Sequence, residues 1–235
     1  MPTAHRPTGK ASHPAPVVFL FDVDNTLLDN DQITRDLRRH LNQCVGPESQ
    51  ERYWVIFEQL RTELGYADYL GALQRYRNEN QSDPNILKLS LFLLEYPFQS
   101  RLYANALKVL ERLSKFGPTV ILSDGDVIFQ PWKVKQSGLY AAVDDRVLIY
   151  VHKEHQLDDV ERRFPSAHYV LIDDKVRILD AAKKIWGDKL TTVFARQGHY
   201  ALDPELVSQY PTPDVTIDTI ETLLDLEPHR LFPTA

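Results

Sequence analysis

Six short apolar runs punctuate the chain: "VVFLF" at 17–21, "TVIL" at 119–122, "VLIYV" at 147–151, "YVLI" at 169–172, "TTVF" at 191–194 and "DVTI" at 214–217. All are bounded by turn or polar residues, rich in β-branched side chains and free of strict alternation. That pattern belongs to strands buried on both faces, as in a parallel sheet. Amphipathic stretches at 104–117, 152–164 and 175–187 lie between them and carry helical spacing. The alternation predicts an α/β fold, a doubly wound and mostly parallel sheet with helices on both faces. Sites in such sheets form at the carboxyl ends of the strands, near a switch point.

One interval breaks the rhythm. From 29 to 100 the segments "TRDLRRHLNQCV", "RYWVIFEQLRTELG", "YADYLGALQRYRN" and "NILKLSLFLLEYPF" carry helical periodicity, and no strand is evident. The expected organisation is therefore a flexible leader over 1–16, an α/β core over 17–28 and 101–235, and a helical lobe over 29–100 inserted in that core. Tyr66, Tyr69 and Arg75 of the lobe are candidates to line a pocket, although the sequence does not assign their faces.

Composition narrows the partners. A formal net charge of −6 supplies no basic surface for a nucleic-acid backbone or an anionic membrane. The single cysteine, Cys44, cannot form an intramolecular disulfide, and no apolar stretch approaches the roughly 20 residues that span a bilayer. A cytoplasmic location is the expectation. The sequence assigns no oligomeric state.

The chemistry gathers at the strand exits. "FLFDVDNTLLDND" places Asp22, Asp24, Asp29 and Asp31 directly behind the first run. The second run ends at Ser123, followed by Asp124 and Gly125; Lys153 follows the third, and Asp173 and Asp174 follow the fourth. An aspartate pair at a strand exit, taken alone, is a turn or a helix cap. A calcium loop is excluded, because its sixth position needs glycine and its twelfth an acid, and these are Leu27 and Ile33. His152 and His155 lack the further ligands of a zinc site.

Taken together in this order, the segments resemble the four motifs of the haloacid dehalogenase-like hydrolase superfamily, from about residue 17 to 218. "DVDNT" is similar to the first motif, "VILSDG" to the second, Lys153 to the third and "IDD" at 172–174 to the acidic fourth. The resemblance implies a phosphatase-type member with a helical cap, acting on a small phosphorylated metabolite. Asp22 would be the nucleophile and Asp24 the general acid and base. Ser123, Asp124, Gly125 and Lys153 would surround the phosphate. It implies Mg²⁺ held by the Asp22 side chain, the Asp24 backbone carbonyl and the acidic pair, with Asp174 direct and Asp173 in support. Thr26 would hold the turn and orient Asp24.

Elementary electrostatics agrees that such a site needs a cation. Two like charges about 4 Å apart cost on the order of 4 kcal/mol at an effective dielectric near 20, and a divalent metal with oxygen ligands reverses the sign. Lys175, Lys133 and Lys135 are alternatives to Lys153 for the cationic role.

The sequence departs from the family pattern at Asn25, where glycine is commonest, at Asp124, where asparagine is frequent, and at Ile178, where many members carry an aspartate. Asp24 favours phosphate chemistry over dehalogenation, since halide leaves without a proton. A phosphomutase or a 2-haloacid dehalogenase of the same superfamily is the alternative. A non-catalytic binding or regulatory protein of this fold is the alternative of another class, and a signalling receiver module has its acidic pair and lysine in a different order.

Overall fold

The computed structural model describes residues 15–233. Six strands form one all-parallel sheet: β1 (Ala15–Phe21), β2 (Thr119–Asp124), β3 (Val147–Tyr150), β4 (Ser166–Asp173), β5 (Leu190–Ala195) and β6 (Val215–Ile217), in the order β3-β2-β1-β4-β5-β6. Each expected run lies on a strand. The chain order reverses direction around β1, which pairs with β2 on one side and β4 on the other. Their carboxyl ends deliver Asp22, Asp124 and Asp173 to one edge.

The leader expected over 1–16 needs correction at its end, and the rest of it lies outside the described residues. β1 already begins at Ala15, whose N–H donates to Pro165 O at 3.1 Å and which pairs with Ser166. Pro16 hid this start, yet it is tolerated. Pairing to β2 begins only at Phe19, so the missing proline N–H forfeits no ladder bond there.

Alternate residues of β1 enter opposite layers, as the strand period requires. Val17, Phe19 and Phe21 join the core that also holds the inserted helices, whereas Val18 and Leu20 join the layer beneath β4 and its following helix. Both faces are buried, which is why the strands read as continuous apolar runs.

Between β1 and β2 the chain forms α1 (Asn30–Leu64), α2 (Tyr69–Glu79) and α3 (Ile86–Glu95). Helix α1 is two helical segments joined by a kink at Gly46, where φ is 82° and ψ 171°, immediately before Pro47. Asp29 caps its start by accepting from Gln32 N at 2.8 Å, and Asp68 caps α2 by accepting from Gly71 N at 2.7 Å. The core then continues through α4 (Ala106–Leu113), α5 (Phe129–Gln136), α6 (Leu139–Ala142), α7 (Leu157–Arg163) and α8 (Val176–Trp186). Helix α4 buries Ala106, Val109, Leu110 and Leu113, one stripe at helical spacing.

The helix expected over 152–164 is divided. A 3-10 turn at Lys153–His155 precedes α7. Helix α5 was not expected at all, and it carries two of the side chains that build the site.

Candidate active site

After Phe21 the chain turns sharply. Val23 O accepts from Thr26 N, Leu27 N and Leu28 N at 3.3, 3.0 and 3.0 Å, closing a loop that presents Asp22 and Asp24 at the sheet edge. Asn25 has φ of 61°, a left-handed conformation that asparagine tolerates better than most residues, so glycine is not required there. The loop is braced from the β5 side. Gln197 donates to Thr26 O at 3.0 Å, and a Cβ on Gly198 would stand 2.4 Å from the Asn25 Cβ. A side chain at Gly198 would push this loop out of place.

The four aspartates of the opening run divide their work. Asp29 is a helix cap. Asp31 accepts from Asn25 Nδ2 at 3.0 Å and lies 2.6 Å from His199 Nδ1, tying the loop to the segment after β5. Asp22 and Asp24 instead meet lysines at the sheet edge, Lys153 and Lys133 respectively.

Asp22, Asp173 and Asp174 are buried, and each offers an oxygen within 4.8 Å of the others. Lys153 enters this cluster from the 3-10 turn after β3. Its Nζ is 2.5 Å from Asp22 Oδ1, 2.6 Å from Asp173 Oδ2 and 3.2 Å from Leu122 O. Burial works against the ammonium, but Asp173, Asp22 and Asp124 outweigh it and hold the Lys153 pKa well above the usual lysine value. Asp173 is also engaged through Oδ1, which accepts from Lys175 N at 2.8 Å at the start of α8.

Other oxygens are orphaned. Asp22 Oδ2 and both carboxylate oxygens of Asp174 are buried without a hydrogen-bond partner. Burial drives the Asp174 pKa well above the ordinary carboxylate value; Lys175 opposes that and loses. Unpartnered buried charge is expensive. The donor set is hard oxygen alone, the kind that divalent cations of the magnesium and calcium type prefer, so this cluster could hold a metal ion.

The remaining expected residues fall nearby. Ser123 is buried, and its Oγ accepts from Gln130 Nε2 at 2.9 Å while making a weaker contact to Asp124 O. Asp124 does not stand free beside the site: Oδ1 accepts from Lys153 N at 2.8 Å, pinning the 3-10 turn to the end of β2. Burial raises its pKa, with Lys153 acting against the shift. Gly125 turns away from the strand at φ 156°, where a Cβ would meet the Gln130 side chain at 2.8 Å.

Two expectations fail. Thr26 holds the turn, its N–H donating to Val23 O at 3.3 Å, but its hydroxyl is buried without a partner and does not orient Asp24. The Asp24 carboxylate is instead gripped by Lys133 of α5, whose Nζ lies 2.6 and 2.7 Å from its two oxygens. Arg75 does not line the cavity. It is exposed and paired with Glu63 at 2.6 Å, whereas Tyr66 and Tyr69 do line it. Lys135 is exposed in the last turn of α5.

Above the cluster lies a cavity of about 820 Å³. Asp24, Lys133, Asp174 and Lys175 form part of its floor, and Arg35, Arg38 and Trp54 of α1 part of its wall. His152 and His155 also border it, and among the described residues the acids grouped closely enough to hold a metal do not include them.

Comparison with known proteins decides the family. A protein from Burkholderia xenovorans described as a haloacid dehalogenase-like hydrolase shares 58% identity, with TM-score 0.87, over 91% of this chain and all (100%) of that one. The chain belongs to the haloacid dehalogenase-like hydrolases. Neither a protein-family model nor a curated protein matches the sequence.

More distant hydrolases of this fold include YfnB of Bacillus subtilis, crystallised with magnesium (18% identity, TM-score 0.56, 90% of this chain and 98% of that one). Another is the L-2-haloacid dehalogenase of Xanthobacter autotrophicus, with chloropropionic acid covalently bound (16% identity, TM-score 0.58, 89% and 97%). At such identity they speak for the fold alone. Among the described residues no helix is long and apolar enough to cross a membrane.

Sequence reasoning missed Lys133 as a partner of Asp24, as well as Gln130 and Gln197. Lys133 had a detectable signal as a lysine within reach of the second motif. The two glutamines had none.

Proposed function

We propose that this hydrolase is a Mg²⁺-dependent phosphatase of a small phosphorylated metabolite, working through an aspartyl phosphate on Asp22. The observation that carries the reading is the division of labour on Asp22. Lys153 holds Oδ1 at 2.5 Å, and Oδ2 is left without a partner beside the equally unpartnered Asp174. One oxygen is positioned and the other is available.

The residues fit the metal that the family implies. Asp22, Asp174 and the Asp24 carbonyl would hold it, and Asp173, already engaged by Lys153 and Lys175 N, would support from behind. Bound there, Mg²⁺ supplies the positive charge that lets two anions meet.

In the first half-reaction an Asp22 oxygen attacks phosphorus, the bond from phosphorus to the ester oxygen breaks, and Asp24 gives its proton to the departing alkoxide. In the second, Asp24 takes a proton from water as that water attacks phosphorus. The phosphorus–Asp22 bond breaks, releasing inorganic phosphate and restoring both carboxyl groups. Lys153 and the Ser123 hydroxyl supply charge and a donor to the phosphoryl oxygens.

The helices α1–α3 act as a cap in this reading. They wall the cavity and exclude bulk water during transfer. Substrate specificity then lies with the cap face, and no nucleic acid or membrane is required.

The test is Mg²⁺-dependent phosphate release from p-nitrophenyl phosphate and a panel of metabolite phosphates, with Asp22→Asn and EDTA controls. Halide release from 2-haloacids runs alongside. Turnover lost in both controls supports the reading, whereas halide release without phosphate release overturns it in favour of dehalogenation.

A further inference from the structure

Lys133 belongs to none of the four family motifs, yet its ammonium is committed to the site. Its side chain is only 1% exposed, a rare state for a lysine that is tolerated when the charge is paired. Among the described residues its carboxylate partner is Asp24, contacted through both oxygens at 2.6 and 2.7 Å. A third contact reaches Asn30 Oδ1 at 3.3 Å, so each of the three ammonium donors has an acceptor within reach.

The contacts continue into the insert. Asn30, the first residue of α1, donates to Tyr69 Oη at 3.3 Å, and Thr34 Oγ1 lies 3.2 Å from the same hydroxyl. Tyr69, the first residue of α2, also meets the ring of Phe129 with centroids 5.7 Å apart. Phe129 lies one helical turn before Lys133 on α5. One face of α5 thus presents an aromatic seat and an ammonium to the base of the insert, and the ammonium grips Asp24.

The torsion that turns an aspartate carboxylate about its own axis is soft, and two donors acting on both oxygens remove that freedom. We propose that Lys133 is the positioning residue for Asp24, and that Asn30 and Tyr69 link this grip to the helical insert. The inference rests on the phosphatase reading, in which Asp24 moves the proton. Lys133 itself touches neither phosphorus nor the ester oxygen. It fixes the direction from which the Asp24 oxygen approaches the leaving group.

Leaving-group dependence separates this role from a merely structural one. Nitrophenolate departs without a proton, whereas an alkoxide needs one. The experiment compares wild type, Lys133→Met, Lys133→Arg and Asp24→Asn on p-nitrophenyl, phenyl and glycerol phosphates, with Asp22→Asn as the control for the underlying chemistry.

For Lys133→Met, kcat/KM is expected to fall about 100-fold on glycerol phosphate and less than about 10-fold on p-nitrophenyl phosphate, the same ordering as Asp24→Asn. KM should change little, and Lys133→Arg should recover part of the loss. Asn30→Ala, which leaves the ion pair in place, should show the same ordering at about 5-fold, so the proposal survives a Lys133→Met variant that does not fold. An equal loss on all three esters, or no loss, overturns the role of Lys133 while wild-type turnover that vanishes in Asp22→Asn leaves the phosphatase reading standing. A wild type that cleaves none of the esters overturns both.

Discussion

Two carboxylate clusters behave in opposite ways in this molecule. In the insert, Asp36 of α1 accepts from Gln32 Nε2 at 2.8 Å, from Tyr96 Oη at 2.6 Å and from Arg101 at 2.9 Å, while Arg101 Nε donates to Tyr96 Oη at 2.7 Å. Burial raises the Asp36 pKa, but Tyr96, Gln32 and Arg101 outweigh it and bring the value below the ordinary one. Burial and Asp36 push Tyr96 up to about 12. Every oxygen in that cluster has a partner.

At the sheet edge Asp174 and Asp22 Oδ2 have none. Asp22, Asp24, Asp124, Asp173 and Asp174 face Lys133, Lys153 and Lys175, an excess of negative charge when all are ionised. The difference separates stability from function. A satisfied acid fastens α1 to the segment that returns the chain to the core, and an unsatisfied one keeps its oxygens for something the chain alone does not provide.

Substitution at Asp22 has the largest expected effect. Asp22→Asn keeps the shape and is expected to lower phosphatase kcat by about 10³-fold or more, read by phosphate release. It would leave the insert cluster intact, so any fall in the thermal unfolding midpoint reads the loss of the buried Asp22–Lys153 pair.

Asp174→Asn should act in the opposite sense on stability. Mg²⁺ at about 100 times its Kd should raise the wild-type Tm by about 5–10 °C, and the variant should lose that response. Without metal, the variant should melt at or above wild type, because burial disfavours the carboxylate that the substitution removes. A variant that still responds to Mg²⁺ would remove Asp174 from the ligand set.

Asp36→Asn should do the reverse, destabilising by about 2 kcal/mol in denaturant melts while kcat per folded molecule stays within about 3-fold. The smallest effect concerns pH. Because the folded-state pKa of Asp36 lies below 3.8, the unfolded chain binds the proton more readily. Its stabilisation is therefore present above about pH 3.8 and is lost as pH falls further, through the folded value. Acid unfolding of Asp36→Asn should lack that component; an unchanged acid limb would show that the cluster contributes nothing through ionisation.

Much of the architecture was legible because its signals were local. The apolar runs at 17–21 and 169–172 are buried on both faces, so nothing masked them. The position of Asp22, Lys153 and Asp173 at one sheet edge followed from parallel strands ending together. Helix α5 was not legible. Its buried face is Phe129, Gln130, Lys133 and Val134, with Pro131 among them, so polar residues occupy positions where a periodic apolar stripe would be sought. Its start signal is Asp126, which accepts from Phe129 N at 2.6 Å, and it stands within a turn that reads as an extension of the second motif.

The sequence by itself determined the α/β alternation, the place of the helical insert and the identity of the acids and lysine at the strand exits, because each depends on neighbours a few residues away. The tertiary structure decided which oxygens are satisfied. Asp24 meets a lysine 109 positions away, and Lys153 meets Asp22 at a separation of 131. Such pairings follow from which helix lands over which strand end, and burial then turns a missing partner from a detail into a free-energy cost.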